Sequence, residues 1–215
     1  MAQEKPTVRE IVSNERPGLM KVVETPLLTA ICLAAGVAFL SYILLAGLDT
    51  TGRHILVISL VRLSFLAGLI AVAATVRLSR GLSRVGLGLA AVSAVLNLVG
   101  AIGWVVTDGW SYNAFDADGP DSPPWYAYVI GSTAILFAFG TILAGIAAIR
   151  ARVKPALAVA VLLAGLFFPA ALLGDAVGLG AAIGHAFWTL PWLAVGLLTL
   201  AALREFAPAA RAHLA

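Results

Sequence analysis

Charged side chains are scarce in this sequence. Only 12% of its 215 residues are Asp, Glu, Lys or Arg, whereas 61% are apolar. A soluble domain carries about 25% charged residues, so this chain has too few to cover a water-facing surface. The composition excludes a soluble globular enzyme and a disordered chain, and it indicates an all-helical integral membrane protein with several spans.

Cysteine pairs and catalytic motifs are also missing. The single cysteine, Cys32, excludes an internal disulfide and a CxxC metal site, and its place in an apolar run is typical of a small buried side chain. The sequence contains no HExxH, GxSxG or glycine-rich phosphate-binding motif. We therefore expect a non-catalytic protein without a cofactor.

Apolar stretches of about 20 residues, the length that crosses a bilayer, occur six times. They predict one transmembrane domain over residues 26–204, a six-helix bundle with an outer loop at 107–124 and a tail at 205–215. The N-terminal segment 1–25 is either a solvated tail or a short surface helix that begins at Val8 and breaks at Pro17 and Gly18. The spans are predicted at residues 26–48, 54–78, 85–106, 125–149, 155–174 and 183–203.

Basic residues lie almost entirely on one side of these spans. Twelve of the fourteen Lys and Arg residues fall in segment 1–25, in the connections around 77–84 and 150–154, or at the C-terminal end. The positive-inside rule then predicts that both termini are cytoplasmic. This composition is typical of a prokaryotic plasma membrane, and it leaves no basic folded surface for nucleic acid.

The tryptophans all lie toward the opposite, outer side. Trp and Tyr usually mark both membrane interfaces, so this one-sided distribution predicts an outer aromatic face. Such a face would contact a lipid-like ligand, a partner membrane protein or a second copy of the chain. Its predicted members are Trp104, Trp110, Trp125, Trp188 and Trp192.

Arg62 lies deep inside a predicted span, about 12 Å along the helix from its outer start, away from the basic residues of the flanks. Ser59 shares its helical face, and Asn97 lies at a similar depth in span three. Asp175 and His185, at the outer ends of spans five and six, complete a predicted polar cluster. Polar groups inside a membrane are costly, so the cluster predicts a site for an anionic headgroup or carboxylate. The alternative is that Arg62 extends outward to water while Asn97 bonds to a neighbouring helix.

Metal binding has only weak candidates. His54 and His185 lie near the outer interface, but they belong to different spans and no second histidine stands near either in sequence. Asp116 and Asp118 resemble the start of a calcium loop, which lacks its bidentate glutamate and contains Pro120. We expect a solvated outer loop there and no bound metal.

Two further patterns concern helix packing. Gly140, Ala144 and Ala148 form a stripe of small residues in span four, which predicts a close helix–helix contact. Pro169 and Pro191 are placed to bend spans five and six near their outer ends.

Two functions remain open. The first is a non-catalytic membrane protein that binds a lipid-like ligand or serves as an accessory subunit through the outer aromatic face. The second is a small transporter or channel with a path past Arg62 and Asn97. Coupled transporters commonly carry a carboxylate within a span, and none lies mid-span here, so the sequence favours the binding role.

Overall fold

The structure of the protein is a computed structural model. It describes residues 8–46, 52–76, 81–108, 125–167, 169–170 and 180–212, and side chains within 25–44, 55–74, 81–107, 125–167, 169–170 and 188–204. The described residues form helices and no strand. The helices are α1 (Val8–Ala46), α2 (Gly52–Val76), α3 (Leu82–Asp108), α4 (Trp125–Arg150), α5 (Pro155–Gly165) and α6 (Gly180–Ala212).

Four of the described helices contain a segment long and apolar enough to cross a membrane, which is consistent with the membrane protein predicted from composition. The segments are Thr25–Leu44, Ile55–Ala74, Leu82–Thr107 and Trp125–Arg150. Two shorter apolar segments occur in α5 and α6, at Pro155–Gly165 and Trp188–Arg204. The part of the chain that the structure describes therefore has four full-length candidate spans, with the shorter apolar segments of α5 and α6 packed against them.

Helix α5 is interrupted after Gly165, where Leu166 forms a turn, and residues 167 and 169–170 are helical again, with the Ala170 N–H donating to the Leu166 carbonyl at 3.1 Å. The last residues of the predicted span, 171–174, lie outside the described residues. Pro169 explains the interruption. Proline has no N–H to donate to the carbonyl four residues earlier, and its ring crowds that carbonyl. The last turn tightens accordingly, with the Leu166 N–H donating to the Leu163 carbonyl at 3.0 Å. By contrast, α6 continues through Pro191 and extends past the predicted end at residue 203, as far as Ala212.

Helix α1 is longer than a single span. It runs without interruption from Val8 to Ala46, so the helix break predicted at Pro17 and Gly18 is wrong. A proline inside a helix removes one backbone hydrogen bond and bends the helix, and it need not end it where the flanking turns stay paired.

Helices α3 and α4 approach each other backbone to backbone. A Cβ atom added to Gly86 would lie 2.6 Å from the carbonyl oxygen of Gly140, and one added to Gly140 would lie 2.6 Å from that of Gly86. Ala144 and Ala148 of the same stripe are fully buried. The close contact predicted from this stripe is therefore confirmed, and only residues without a large side chain fit there.

A four-residue turn, 151–154, joins α4 to α5. Arg152 adopts a left-handed backbone conformation with a φ of 54°. Its N–H donates to the Ile149 carbonyl at 3.0 Å, and the Val153 N–H donates to the Ala148 carbonyl at 3.1 Å. These two bonds form a Schellman motif, which satisfies carbonyls at the end of α4. Pro155 then begins α5, where a missing N–H costs nothing.

Candidate functional site

Arg62 lies inside the bundle. Helix α2 directs its side chain toward α4 and α6, and only 3% of the residue is exposed. It is about 10 Å along the helix from Ile55, where the apolar segment begins. The hydrocarbon core of a bilayer is about 30 Å thick, so a candidate span that begins at Ile55 would hold Arg62 about a third of the way across it. The outward extension considered as an alternative does not occur.

A hydrogen-bonded network connects α2, α3 and α4 at this depth. The Ser59 hydroxyl donates to Asn97 Oδ1 at 2.7 Å, and Asn97 Nδ2 donates to Thr133 Oγ1 at 3.1 Å. Arg62 Nη1 donates to the same Thr133 oxygen at 3.3 Å. All four residues are buried. The structure thus brings together Arg62, Ser59 and Asn97, as the sequence predicts, and Asn97 also bonds to neighbouring helices.

Thr133 is the residue that sequence reasoning missed. Its oxygen accepts hydrogen bonds from Arg62 and Asn97, and its hydroxyl donates to the Ile130 carbonyl at 2.9 Å. A hydroxyl has one donor and two acceptor positions, so all three are used. A signal was present: Thr133 lies eight residues after Trp125, the outer start of its span, and Arg62 is equally far from the start of span two.

Aromatic rings surround the other side of the Arg62 guanidinium. Its Cζ lies 5.7 Å from the Phe137 ring centre and 6.0 Å from that of Trp188, within cation–π range. Phe65 contacts Trp188 edge-on at 5.3 Å and stacks on Trp192 at 5.0 Å. We call Phe65, Phe137, Trp188 and Trp192 the aromatic cluster. It gives the cation a largely apolar environment.

Several buried polar groups of the bundle lack a hydrogen-bond partner within the part of the chain that the structure describes. Arg62 Nε, Trp192 Nε1 and the Tyr126 hydroxyl are buried and have no hydrogen-bond partner among the described residues. None of the described side chains is acidic, and the eleven Asp and Glu residues all lie outside the apolar helical segments. A buried cation without a carboxylate at its own depth can accept an anion from outside the chain.

The remaining predicted members of the polar cluster are not described. Asp175 lies outside the described residues, and His185 belongs to α6 but its side chain also lies outside them. The same holds for the metal candidates Asp116 and Asp118 and for the side chain of His54 in α2. Among the described residues, no three His, Cys, Asp or Glu side chains form a group that could hold a metal ion.

The predicted outer aromatic face does not form a surface. Trp104 and Trp192 are fully buried and Trp188 is 3% exposed, so these three are internal packing residues, and their inclusion in an exposed face is wrong. Trp104 packs on Tyr126 at 5.2 Å, whereas Trp188 and Trp192 belong to the aromatic cluster around Arg62. Trp125 is exposed, and Trp110 lies outside the described residues. An apolar span does not reveal from its sequence which aromatic residues face lipid and which face protein.

Comparison with protein-family models, curated proteins and solved structures finds no match to this chain. The arguments about function therefore rest on the geometry around Arg62.

Proposed function

We propose that this chain is a six-span protein of a prokaryotic plasma membrane that binds an anionic, lipid-like ligand at Arg62, inside the helical bundle. Both termini are cytoplasmic in this proposal. It assigns α5 and the apolar segment Trp188–Arg204 of α6 to the fifth and sixth spans, because α5 packs against α4 and α6, and α6 packs against α1 and α2. The distribution of basic residues supports the orientation.

The single observation that carries the proposal is the burial of Arg62 with no carboxylate among the described side chains around it. Insertion of an arginine at the centre of a membrane helix costs about 2.5–3.5 kcal/mol. One neutral hydrogen bond to Thr133 and two ring contacts offset only part of that cost. An anion bound at the guanidinium would supply the missing stabilisation.

The second candidate is a small transporter or channel. The observation that favours it is the alignment of Ser59, Asn97 and Thr133 on three helices at one depth beside Arg62. Purified protein in vesicles would then release a trapped anion, whereas a binding protein would retain it. An accessory subunit would instead carry a second polypeptide on extraction.

Native mass spectrometry of the gently extracted protein tests the binding proposal. We expect wild type to retain a small-molecule adduct and Arg62→Gln to lose it. Arg84→Gln is the matched control, because Arg84 lies exposed on α3 and the chemical change is the same. Retention of the adduct by Arg62→Gln would contradict the proposal, and co-extraction of a polypeptide in place of an adduct would favour the accessory role.

A further inference from the structure

We infer that the ligand of the Arg62 site is the carboxylate of a molecule with an apolar body, held side-on by the Nε edge of the guanidinium. This inference rests on the proposed function and specifies the ligand class. Arg62 Nη1 points at Thr133, and Nε has no partner among the described residues. A planar guanidinium offers two parallel N–H groups along the Nε edge, and a carboxylate matches them with its two oxygens.

The unpartnered hydrogen-bond donors of the site favour a ligand whose polar group only accepts hydrogen bonds. Thr133 has no position left, because it accepts twice and donates once. Trp192 Nε1, in the aromatic cluster, is a second buried donor without a partner among the described residues. An ionised carboxylate has acceptor positions only and so matches these two unpartnered donors, whereas an alcohol or an amide would bring further donors of its own.

The charge of the site indicates a monoanion. Arg62 is the one charged residue among the described residues that is buried. A single carboxylate neutralises it, whereas a phosphate monoester, with a charge near −2 at neutral pH, would leave negative charge inside the bundle. The phosphate of a phospholipid resides in the headgroup region, outside the hydrocarbon core in which Arg62 lies.

The side chains around Arg62 indicate that the rest of the ligand is apolar. Phe137 and Trp188 lie within 6.0 Å of the guanidinium carbon, and Phe65 and Trp192 continue the aromatic cluster behind them. No further charged group is available among the described side chains there. A long-chain carboxylic acid combines the required head with a body that such side chains accept.

Tryptophan fluorescence provides the test, because Trp188 lies beside Arg62. Full-length protein in a non-ionic detergent is titrated with a brominated long-chain carboxylic acid, whose bromine quenches nearby indoles, at mildly alkaline pH so that the acid is ionised. We expect saturable quenching that is weakened about tenfold or more by Arg62→Gln, as follows from the loss of a charged hydrogen-bonding group. Arg62→Lys keeps the charge but lacks the fork, so we expect an intermediate affinity. The control Arg84→Gln is expected to match wild type.

Two comparisons in wild type keep the test independent of how the variants fold. The methyl ester of the brominated acid partitions into detergent equally well but lacks the charge, and equal quenching by the ester overturns the inference. Competition by a short water-soluble carboxylate would show that the carboxylate group alone is enough for binding. This result would overturn the inference that the ligand needs an apolar body. Saturable, Arg62-dependent binding of an alkyl phosphate, without binding of the acid, would support an anion site at Arg62. It would overturn the inference that the ligand is a carboxylate. If no anion binds in an Arg62-dependent way, the proposed function fails as well.

Discussion

Gly86 of α3 and Gly140 of α4 lie so close that a Cβ atom on either would meet the carbonyl oxygen of the other at 2.6 Å. We expect Gly86→Ala to destabilise the protein by about 1–3 kcal/mol, because the added methyl group forces two backbones apart. Thermal unfolding in detergent measures the effect. Gly88→Ala is the matched control on the same helix, since nothing lies within 4 Å of its Cβ position. Equal stability of the two variants would show that α3 and α4 are not in backbone contact.

A double-mutant cycle on Ser59 and Asn97 measures the polar link between α2 and α3. Their side chains are joined by a buried hydrogen bond of 2.7 Å. We expect Ser59→Ala and Asn97→Ala to interact by about 0.6 kcal/mol, and by no more than about 1.7 kcal/mol, the range measured for such bonds between membrane helices. The free energies of unfolding of the four proteins in the cycle give this value. Strict additivity would mean that the bond does not form.

The stability effect of Arg62→Met should depend on whether ligand is present. In delipidated protein we expect the variant to be more stable than wild type by about 1 kcal/mol or more, since removing an uncompensated buried charge outweighs the lost contacts. In protein extracted with its native lipids we expect this order to reverse, because ligand binding stabilises only wild type. Melting temperatures before and after delipidation provide the comparison. If the variant is less stable than wild type under both conditions, Arg62 stabilises the helix packing and does not need a ligand to do so.

The turn between α4 and α5 is expected to gain stability when the left-handed residue becomes glycine. Arg152 has a φ of 54°, a conformation that costs a residue with a Cβ atom about 1–2 kcal/mol. Arg152→Gly should therefore raise the free energy of unfolding by about 1 kcal/mol. Arg152→Ala removes the same charge and keeps the Cβ atom, so it serves as the control. The strain would be refuted if alanine and glycine had the same effect.

Cysteine labelling can decide the membrane orientation. Cys32 is the only cysteine and is fully buried, so a cysteine introduced elsewhere would be the accessible thiol. We expect Gly81→Cys to react with a membrane-impermeant reagent only after the cells are opened. A cysteine introduced at Ser122, in the predicted outer loop, should react in intact cells. The opposite pattern would reverse the proposed orientation.

Hydropathy located the helices from the sequence because a membrane helix needs a long apolar run, and the starts of α4 and α5 were predicted to the residue. Hydropathy could not give the end of α5. The sequence identifies Pro169 as a bending residue, and the helix is interrupted one turn before it, after Gly165, whose carbonyl loses its partner. The end of a helix depends on individual hydrogen bonds, which an average over a window does not resolve.

The sequence predicts only part of the candidate site, because the contacts between helices also depend on individual residues. Arg62 and Asn97 stand out because strongly polar residues are rare within spans. Thr133 does not stand out, because threonine commonly bonds to its own helix. Trp188 and Trp192 were assigned to a surface because tryptophan prefers interfaces, whereas the structure places them beside Arg62 and Phe65. Which side of an apolar helix faces protein depends on neighbours that are distant in sequence.

The short turn after α4 has a consequence for biosynthesis. The four residues 151–154 can extend to about 14 Å at most, less than half the hydrocarbon thickness of about 30 Å. The first residue of α5 must therefore stay at the same membrane surface as the last residue of α4 at every stage. The two helices cannot be threaded one after the other with a long loop between them. In the proposed six-span arrangement, we therefore expect α4 and α5 to enter the bilayer together, as one insertion unit.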